Sequence, residues 1–143
     1  MATFNPYLNF NGNTEEAFTF YKSVFGGEFI ALQRFKDTPE GKKLSATEAE
    51  KIMHIALQLG PGTLLMATDA LESMGHIVSM GSNFHISINA ESKDEADTLY
   101  SKLSAGGVAV LPMKKEFWGD YFGMLTDPFG IQWMVSFDEK PAA

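Results

Sequence analysis

Phe117-Trp118-Gly119-Asp120-Tyr121-Phe122-Gly123-Met124-Leu125-Thr126-Asp127-Pro128-Phe129-Gly130-Ile131-Gln132-Trp133-Met134-Val135 is the stretch whose reading decides the fold. Two aromatic, alternating runs flank Asp127-Pro128-Phe129-Gly130. Proline presets φ, aspartate hydrogen-bonds the turn backbone, and glycine supplies a conformation that other residues resist. The pattern predicts a β-hairpin from Phe117 to Val135. Both tryptophans lie in it, on either side of the turn.

Upstream, Phe84-His85-Ile86-Ser87-Ile88-Asn89 alternates as a strand. Ser92 to Ser104 carries Ala96, Leu99, Tyr100 and Leu103 at helical spacing, and Ala105-Gly106-Gly107 ends that helix. Val108 to Leu111 predicts a further strand. The first half repeats this order. Asn5, Tyr7 and Asn9 alternate with Pro6, Leu8 and Phe10, and Asn13 or Thr14 is placed to cap a helix. Ala17, Phe18, Phe20, Tyr21, Val24 and Phe25 recur at helical spacing until Gly26-Gly27. A strand is expected from about Glu28 to Phe35. Lys36 to Ala49, charged and polar, reads as a mobile loop or lid. Ile52 to Leu59 alternates again, with Met53, Ile55, Leu57 and Leu59 on one face and His54, Ala56 and Gln58 on the other. Gly60-Pro61-Gly62 turns it into Thr63 to Thr68, and Leu71 to Ser82 is a connector.

Asn5 and His85 are 80 positions apart (85 − 5), as are Gly26 and Gly106 (106 − 26). The turns at Gly62 and Gly130 each precede a methionine by four residues, Met66 and Met134. Each half therefore reads strand–helix–strand–strand–strand, an internal duplication.

Trp118-Gly119, Thr126-Asp127-Pro128-Phe129-Gly130 and Gln132-Trp133 resemble the C-terminal signature of the PhnB-like branch of the vicinal-oxygen-chelate superfamily. That superfamily includes glyoxalases, extradiol dioxygenases and bleomycin-resistance proteins. Pro6-Tyr7-Leu8-Asn9-Phe10-Asn11-Gly12, Glu16-Ala17, Phe20-Tyr21 and Phe25-Gly26-Gly27 resemble the same branch, so the likeness spans nearly the whole chain. It implies an α+β fold in which two tandem βαβββ modules form a curved mixed sheet enclosing a cleft. The expected organisation is a single domain over 1–143, with modules at about 1–70 and 83–138 and a connector at 71–82. The resemblance is specific for fold and weak for reaction, because one scaffold hosts many chemistries.

Composition narrows the function. The chain has 143 residues, 45% hydrophobic and 13% aromatic, which suits one globular domain. A net charge of −7 argues against a nucleic-acid partner and against an anionic membrane surface. With no cysteine, disulfides, thiolate catalysis and sulfur-ligated zinc are excluded. No apolar stretch approaches the roughly 20 residues that span a bilayer, and no signal core opens the chain. A cytoplasmic location is expected.

In metal-dependent members of the resembled superfamily the ligands come from the first and last strands of each module. The equivalent positions fall at or near Asn5, at His85, and at Met66 and Met134, where methionines replace carboxylates. A hard divalent ion prefers imidazole nitrogen and carboxylate oxygen, so only His85 is a good ligand and no metal-binding set is expected. If Ala56 pairs with Met66, His54 lies opposite Thr68 and can share a cavity with His85. His76 reads as exposed. Glu116 is a candidate general base. Trp118 and Tyr121 are candidates to stack on a flat ligand. Tyr7, Asn9, Ser87, Asn89, Gln132 and Ser136 offer hydrogen bonds, and Met66 and Met134 an adaptable apolar lining. Each has a plainer reading: a satisfied histidine, a solvated carboxylate beside Lys114 and Lys115, aromatic packing.

Three functions are compatible with these residues. The first is a small-molecule-binding protein that works as a homodimer. The second is a metal-assisted lyase, isomerase or oxygenase acting on a small oxygenated or phosphonate-like metabolite, with His54 or His85 and Glu116 in the chemistry. The third is a structural dimer with a vestigial cleft. Some PhnB-like proteins carry a demethylubiquinone methyltransferase label. This chain has no glycine-rich nucleotide loop for a methyl donor and no cation cluster for a phosphonate.

Overall fold

Each half of the chain builds its own four-stranded sheet. The computed structural model describes residues 2–139. The chain divides after Ser79 into two units. The first contains β1 (Tyr7–Phe10), α1 (Thr14–Phe25), β2 (Glu28–Arg34), α2 (Ala46–Ala49), β3 (Ile52–Gly60) and β4 (Thr63–Asp69). Its strands lie in the order β1-β4-β3-β2, with β1 and β4 parallel and the other pairs antiparallel. The second contains β5 (Ile86–Asn89), α3 (Lys93–Ser104), β6 (Val108–Lys115), β7 (Asp120–Thr126) and β8 (Gln132–Asp138), in the order β5-β8-β7-β6 with the same directions. This is the tandem βαβββ arrangement of an α+β fold. Among the described residues no helix is long and apolar enough to cross a membrane.

In the first unit, Leu8, Phe10, Ile55, Leu57, Leu65 and Ala67 are buried from the strands, and Ala17, Phe18 and Tyr21 from α1. Phe10 meets Phe18 edge-on, with centroids 6.5 Å apart. The helix is not capped as expected, because Asn13 makes no side-chain capping bond. Instead Asp69, at the end of β4, accepts from the Thr14 backbone N–H (3.0 Å) and hydroxyl (2.7 Å) through Oδ1, and from the Ile52 N–H (2.8 Å) through Oδ2. A carboxylate there satisfies an orphan donor and complements the helix dipole.

Two further expectations change. A register shift between Gln33 and Arg34 puts Ile52 in the core and leaves Met53 only half-buried, breaking the alternation at the start of β3. The segment read as a loop or lid instead coils into two 3-10 turns, Phe35–Asp37 and Pro39–Lys43, and the single turn α2. Ser45 caps α2 by accepting from the Glu48 N–H at 3.1 Å. Arg34 forks onto Glu15 at 3.0 and 2.7 Å, and Lys36 meets Glu50 at 2.9 Å.

In the second unit the Asp-Pro-Phe-Gly turn joins β7 to β8 as expected. Asp127 is buried; its Oδ1 accepts from the Phe129 and Ile131 N–H groups (2.8 and 3.0 Å), and its Oδ2 from the Trp133 indole (2.8 Å). The hairpin starts later than predicted. Phe117 to Gly119 form the β6–β7 turn, closed by Glu116 N–H to Asp120 O at 2.8 Å, with Gly119 at φ +107°. β6 runs on to Lys115 through Pro112, which an edge strand tolerates. Ser92 caps α3, accepting from the Glu95 N–H at 3.0 Å. The Tyr100 hydroxyl of α3 donates to the Leu111 and Met124 carbonyls.

The duplication extends to backbone packing. A Cβ on Gly27 would collide with the Gln58 carbonyl oxygen, and one on Gly107 with that of Thr126. Gln58 and Thr126 are 68 apart (126 − 58), the spacing of Met66 and Met134 (134 − 66). Both helix-to-strand corners are thus glycine-dependent.

Asp69→Ala strands two buried donors, Thr14 N–H and Ile52 N–H. At about 1–3 kcal/mol for each, the expected loss of stability is about 2–6 kcal/mol by urea unfolding. An unchanged midpoint would remove the carboxylate from this role.

Candidate functional site

Strand alternation sends Leu8, Ala67 and Ile55 of the first sheet toward α1 and leaves the other face without a helix. On that face Tyr7, Met66 and Ala56 form one cross-strand row, since Tyr7 pairs with Met66 and Met66 with Ala56. The Ala56–Met66 pairing, the condition for His54 to lie opposite Thr68, is therefore present. Beside it stand Thr68, paired with Asn9, and His54, paired with Gln33. The Tyr7 hydroxyl and His54 Nδ1 lie 3.3 Å apart, and the two rings stack at 5.8 Å and 22°. Burial pushes the Tyr7 pKa up, and a hydrogen bond from Thr68 pulls against that rise. Tyr7 is 46% exposed as a whole residue, and its raised pKa keeps the hydroxyl protonated near neutral pH. The Asn5 side-chain oxygen accepts from the Leu64 N–H at 3.0 Å and so ties the chain ahead of β1 to β4.

The second sheet presents the equivalent row Ser87, Met134, Met124. Ser136 donates to Asn89 at 3.0 Å, and Gln132 to the Phe84 carbonyl at 2.7 Å. His85, half-buried, immediately precedes β5. Trp118, 45% exposed, meets Phe122 at 5.9 Å and Phe117 at 5.1 Å, both edge-on. Glu116 is half-buried within the β6–β7 turn, and its neighbour Lys115 reaches Glu139 rather than Glu116.

Tyr121 is not brought to Trp118. It points the other way from Phe122, and its hydroxyl donates to Asp97 Oδ1 of α3 at 2.5 Å, with Lys93 Nζ 4.8 Å over its ring. Adjacent strand residues face opposite sides, and the helix claims this one. His54 lies on β3 of the first unit, and His85 lies just ahead of β5 in the second. His76 is exposed.

The donor set does not fit a hard divalent cation. Met66 and Met134 offer thioethers where carboxylates would be needed, and the Asn5 oxygen is already occupied by Leu64. Among the described residues no group of three or more His, Cys, Asp or Glu gathers at metal-binding distance.

Sequence reading missed two features. One is Thr68 as a partner of Tyr7, which only the β1–β4 register reveals. The other is a depression of about 610 Å³ lined by Gly12, Glu15, Arg34, Thr47, Glu50 and Lys51, among others. Its one sequence signal was the charge around Lys36 to Glu50. There the hydrogen bond from Arg34 holds the Glu15 carboxyl below its ordinary pKa.

The Asp97 hydrogen bond, aided by burial, pushes the Tyr121 pKa up to about 12 from 10.0. The folded chain then holds this proton more tightly than the unfolded one. The contribution is complete below the unfolded value of 10.0 and is lost as pH rises through about 12. Stability should fall over that window, and Tyr121→Phe should flatten the fall in melting temperature. Equal alkaline slopes in both proteins would refute it.

Similar chains agree with this architecture. Protein YjdN of Escherichia coli (strain K12) is 26% identical over 140 residues, 92% of each chain. Protein PA1353 from Pseudomonas aeruginosa superposes with a TM-score of 0.84 at 38% identity, covering 96% of this chain and 98% of that one. A putative 3-demethylubiquinone-9 3-methyltransferase, PhnB protein, from Bacillus cereus superposes with a TM-score of 0.77 at 24% identity, covering 95% and 99%. That last likeness is one of fold. The sequence profile of the Glyoxalase/Bleomycin resistance protein/Dioxygenase superfamily matches residues 3–135, and the chain belongs to that superfamily.

Proposed function

We propose that this protein binds a small, partly apolar organic molecule on the helix-free face of its first unit. The observation that carries this reading is the Tyr7–His54 contact, 3.3 Å between hydroxyl and ring nitrogen, on the face of the sheet opposite α1. Half-buried Met66 stands beside it over the buried Ala56, and Thr68 sits within reach of the Tyr7 hydroxyl. An apolar surface with a few convergent polar groups is the usual make-up of a ligand site. With the Tyr7 hydroxyl donating to Nδ1, the imidazole carries its proton on Nε2. A ligand oxygen then has a donor at Nε2, and a ligand donor can use the phenol oxygen.

The same contact favours a second reading, an enzyme in which His54 and Tyr7 exchange a proton with the ligand. His85, Glu116, Ser87, Gln132, Met134 and Trp118 stay candidates on the second unit, where Trp118 and Phe122 present an aromatic surface. Tyr121 is a weaker candidate because Asp97 holds its hydroxyl.

A panel of small aromatic and carbonyl compounds, screened by ligand-observed NMR, tests the binding site. Binders should shift the Tyr7, His54 and Met66 resonances, and Tyr7→Phe with His54→Gln should weaken them by about tenfold, the equivalent of 1.4 kcal/mol. Binders that map only to other residues would sink the proposal.

We also propose a homodimer. Ile30 and Leu32 on edge strand β2 and Val108, Val110 and Leu111 on edge strand β6 are exposed, and such edges carry unpaired backbone groups. Sedimentation at micromolar concentration should give twice the chain mass. A monomer there would overturn it.

A further inference from the structure

We infer that the depression of about 610 Å³ on the α1 side of the first sheet binds a small zwitterion of the α-amino acid class. It lies across the sheet from the face that carries Tyr7 and His54. Arg34 in its lining pairs with Ile52, which is buried in the core, and reaches Glu15 of α1. Two cations, Arg34 and Lys51, and two exposed carboxylates, Glu15 and Glu50, line the depression together with Thr47. Arg34 donates to both Glu15 oxygens and to the Glu50 carbonyl, and Lys51 donates to the Gly12 carbonyl at 2.8 Å. A guanidinium carries five N–H groups and an ammonium three. Among the described residues, therefore, both cations keep donors that no protein acceptor takes. The Arg34 hydrogen bond, and after it the charges of Arg34 and Lys51, hold the Glu15 carboxyl below its ordinary pKa, so both cations act on one space.

The balance of charge selects the ligand. Arg34 answers Glu15, and Lys36 answers Glu50 at 2.9 Å. On the floor Asp69 is engaged by Thr14 and Ile52, and Lys51 offsets its charge. A ligand of net negative charge would meet the carboxylates of Glu15, Glu50 and Asp69, and a simple cation would meet Arg34 and Lys51. A molecule with both charges a few bonds apart avoids either repulsion. Its carboxylate takes the unused donors of Lys51 and Arg34, and its ammonium donates to Glu50, whose side chain is 58% exposed. Thr47 stands three positions before Glu50 and four before Lys51, which on a helical turn brings its hydroxyl to the same side. Ala46 and the methylene stem of Lys51 supply an apolar wall for a short aliphatic side chain.

The test follows the backbone amide resonances of the full chain during titration with glycine, L-alanine and L-valine, and separately with inorganic phosphate. The expected result is saturable shifts at Gly12, Thr47 and Lys51 with at least one amino acid. The N-acetyl and methyl-ester derivatives of the tightest binder each lack one charge and should bind about tenfold more weakly or worse. Glu50→Gln and Lys51→Met should each weaken the amino acid by about tenfold, and added salt should weaken it in the unsubstituted chain. Should Lys51→Met fail to fold, Glu50→Gln and the two derivatives decide alone. No saturable shift with any of the amino acids, equal binding of a derivative, a response to phosphate only, or shifts centred on Tyr7 and His54 would each overturn the assignment.

Discussion

A buried carboxylate at the end of β4 holds the first unit together. Asp69 is 2% exposed and carries three hydrogen bonds, two from Thr14 at the start of α1 and one from Ile52 at the start of β3. A charge in that position is tolerable only because all its partners are in place and the helix N-terminus faces it. The consequence is geometric. The carboxylate joins β4, β3 and the helix at one point and so fixes α1 against one face of the sheet. The opposite face carries Tyr7, His54, Met66 and Thr68.

The second unit meets the same need differently. Its buried carboxylate, Asp127, sits in the β7–β8 turn and binds two turn N–H groups and the Trp133 indole. Its helix is capped locally by Ser92 rather than by a distant acid. The two halves therefore share topology and the glycine corners at Gly27 and Gly107, but not the polar anchors. Divergence at the anchors accompanies divergence on the open faces: Tyr7 and His54 on one, paired methionines and exposed Trp118 on the other. Superfamily membership accounts for the scaffold, whereas these side chains give each face its chemistry.

Tyr121 illustrates how closely function depends on strand phase. Trp118, Tyr121 and Phe122 are near neighbours in sequence, yet Phe122 joins Trp118 while Tyr121 bonds Asp97 on α3. One residue along a strand reverses the face. An aromatic surface for a ligand and an aromatic clasp for a helix thus arise from one five-residue stretch.

The amino-acid sequence by itself determined the repeated strand–helix–strand–strand–strand order and the Asp127 turn. Each of these is written in local periodicity, in turn chemistry or in spacing along the chain. The resemblance to the superfamily also leads to the expectation that Met66 and Met134 stand in place of carboxylates. Tertiary structure alone decided the rest, because the partners are far apart in the chain. Asp69 is 55 positions from the Thr14 it caps, and Tyr7 is 47 from His54. The shift that buries Ile52 in place of Met53 arises where β3 meets β2, and no pattern within β3 announces it. Likewise the stretch from Lys36 to Ala49 looked unstructured because its order rests on Arg34–Glu15 and Lys36–Glu50, contacts that join one segment to another. Local rules reach only as far as the next turn; hydrogen bonds and ion pairs between segments exist only once the chain has folded.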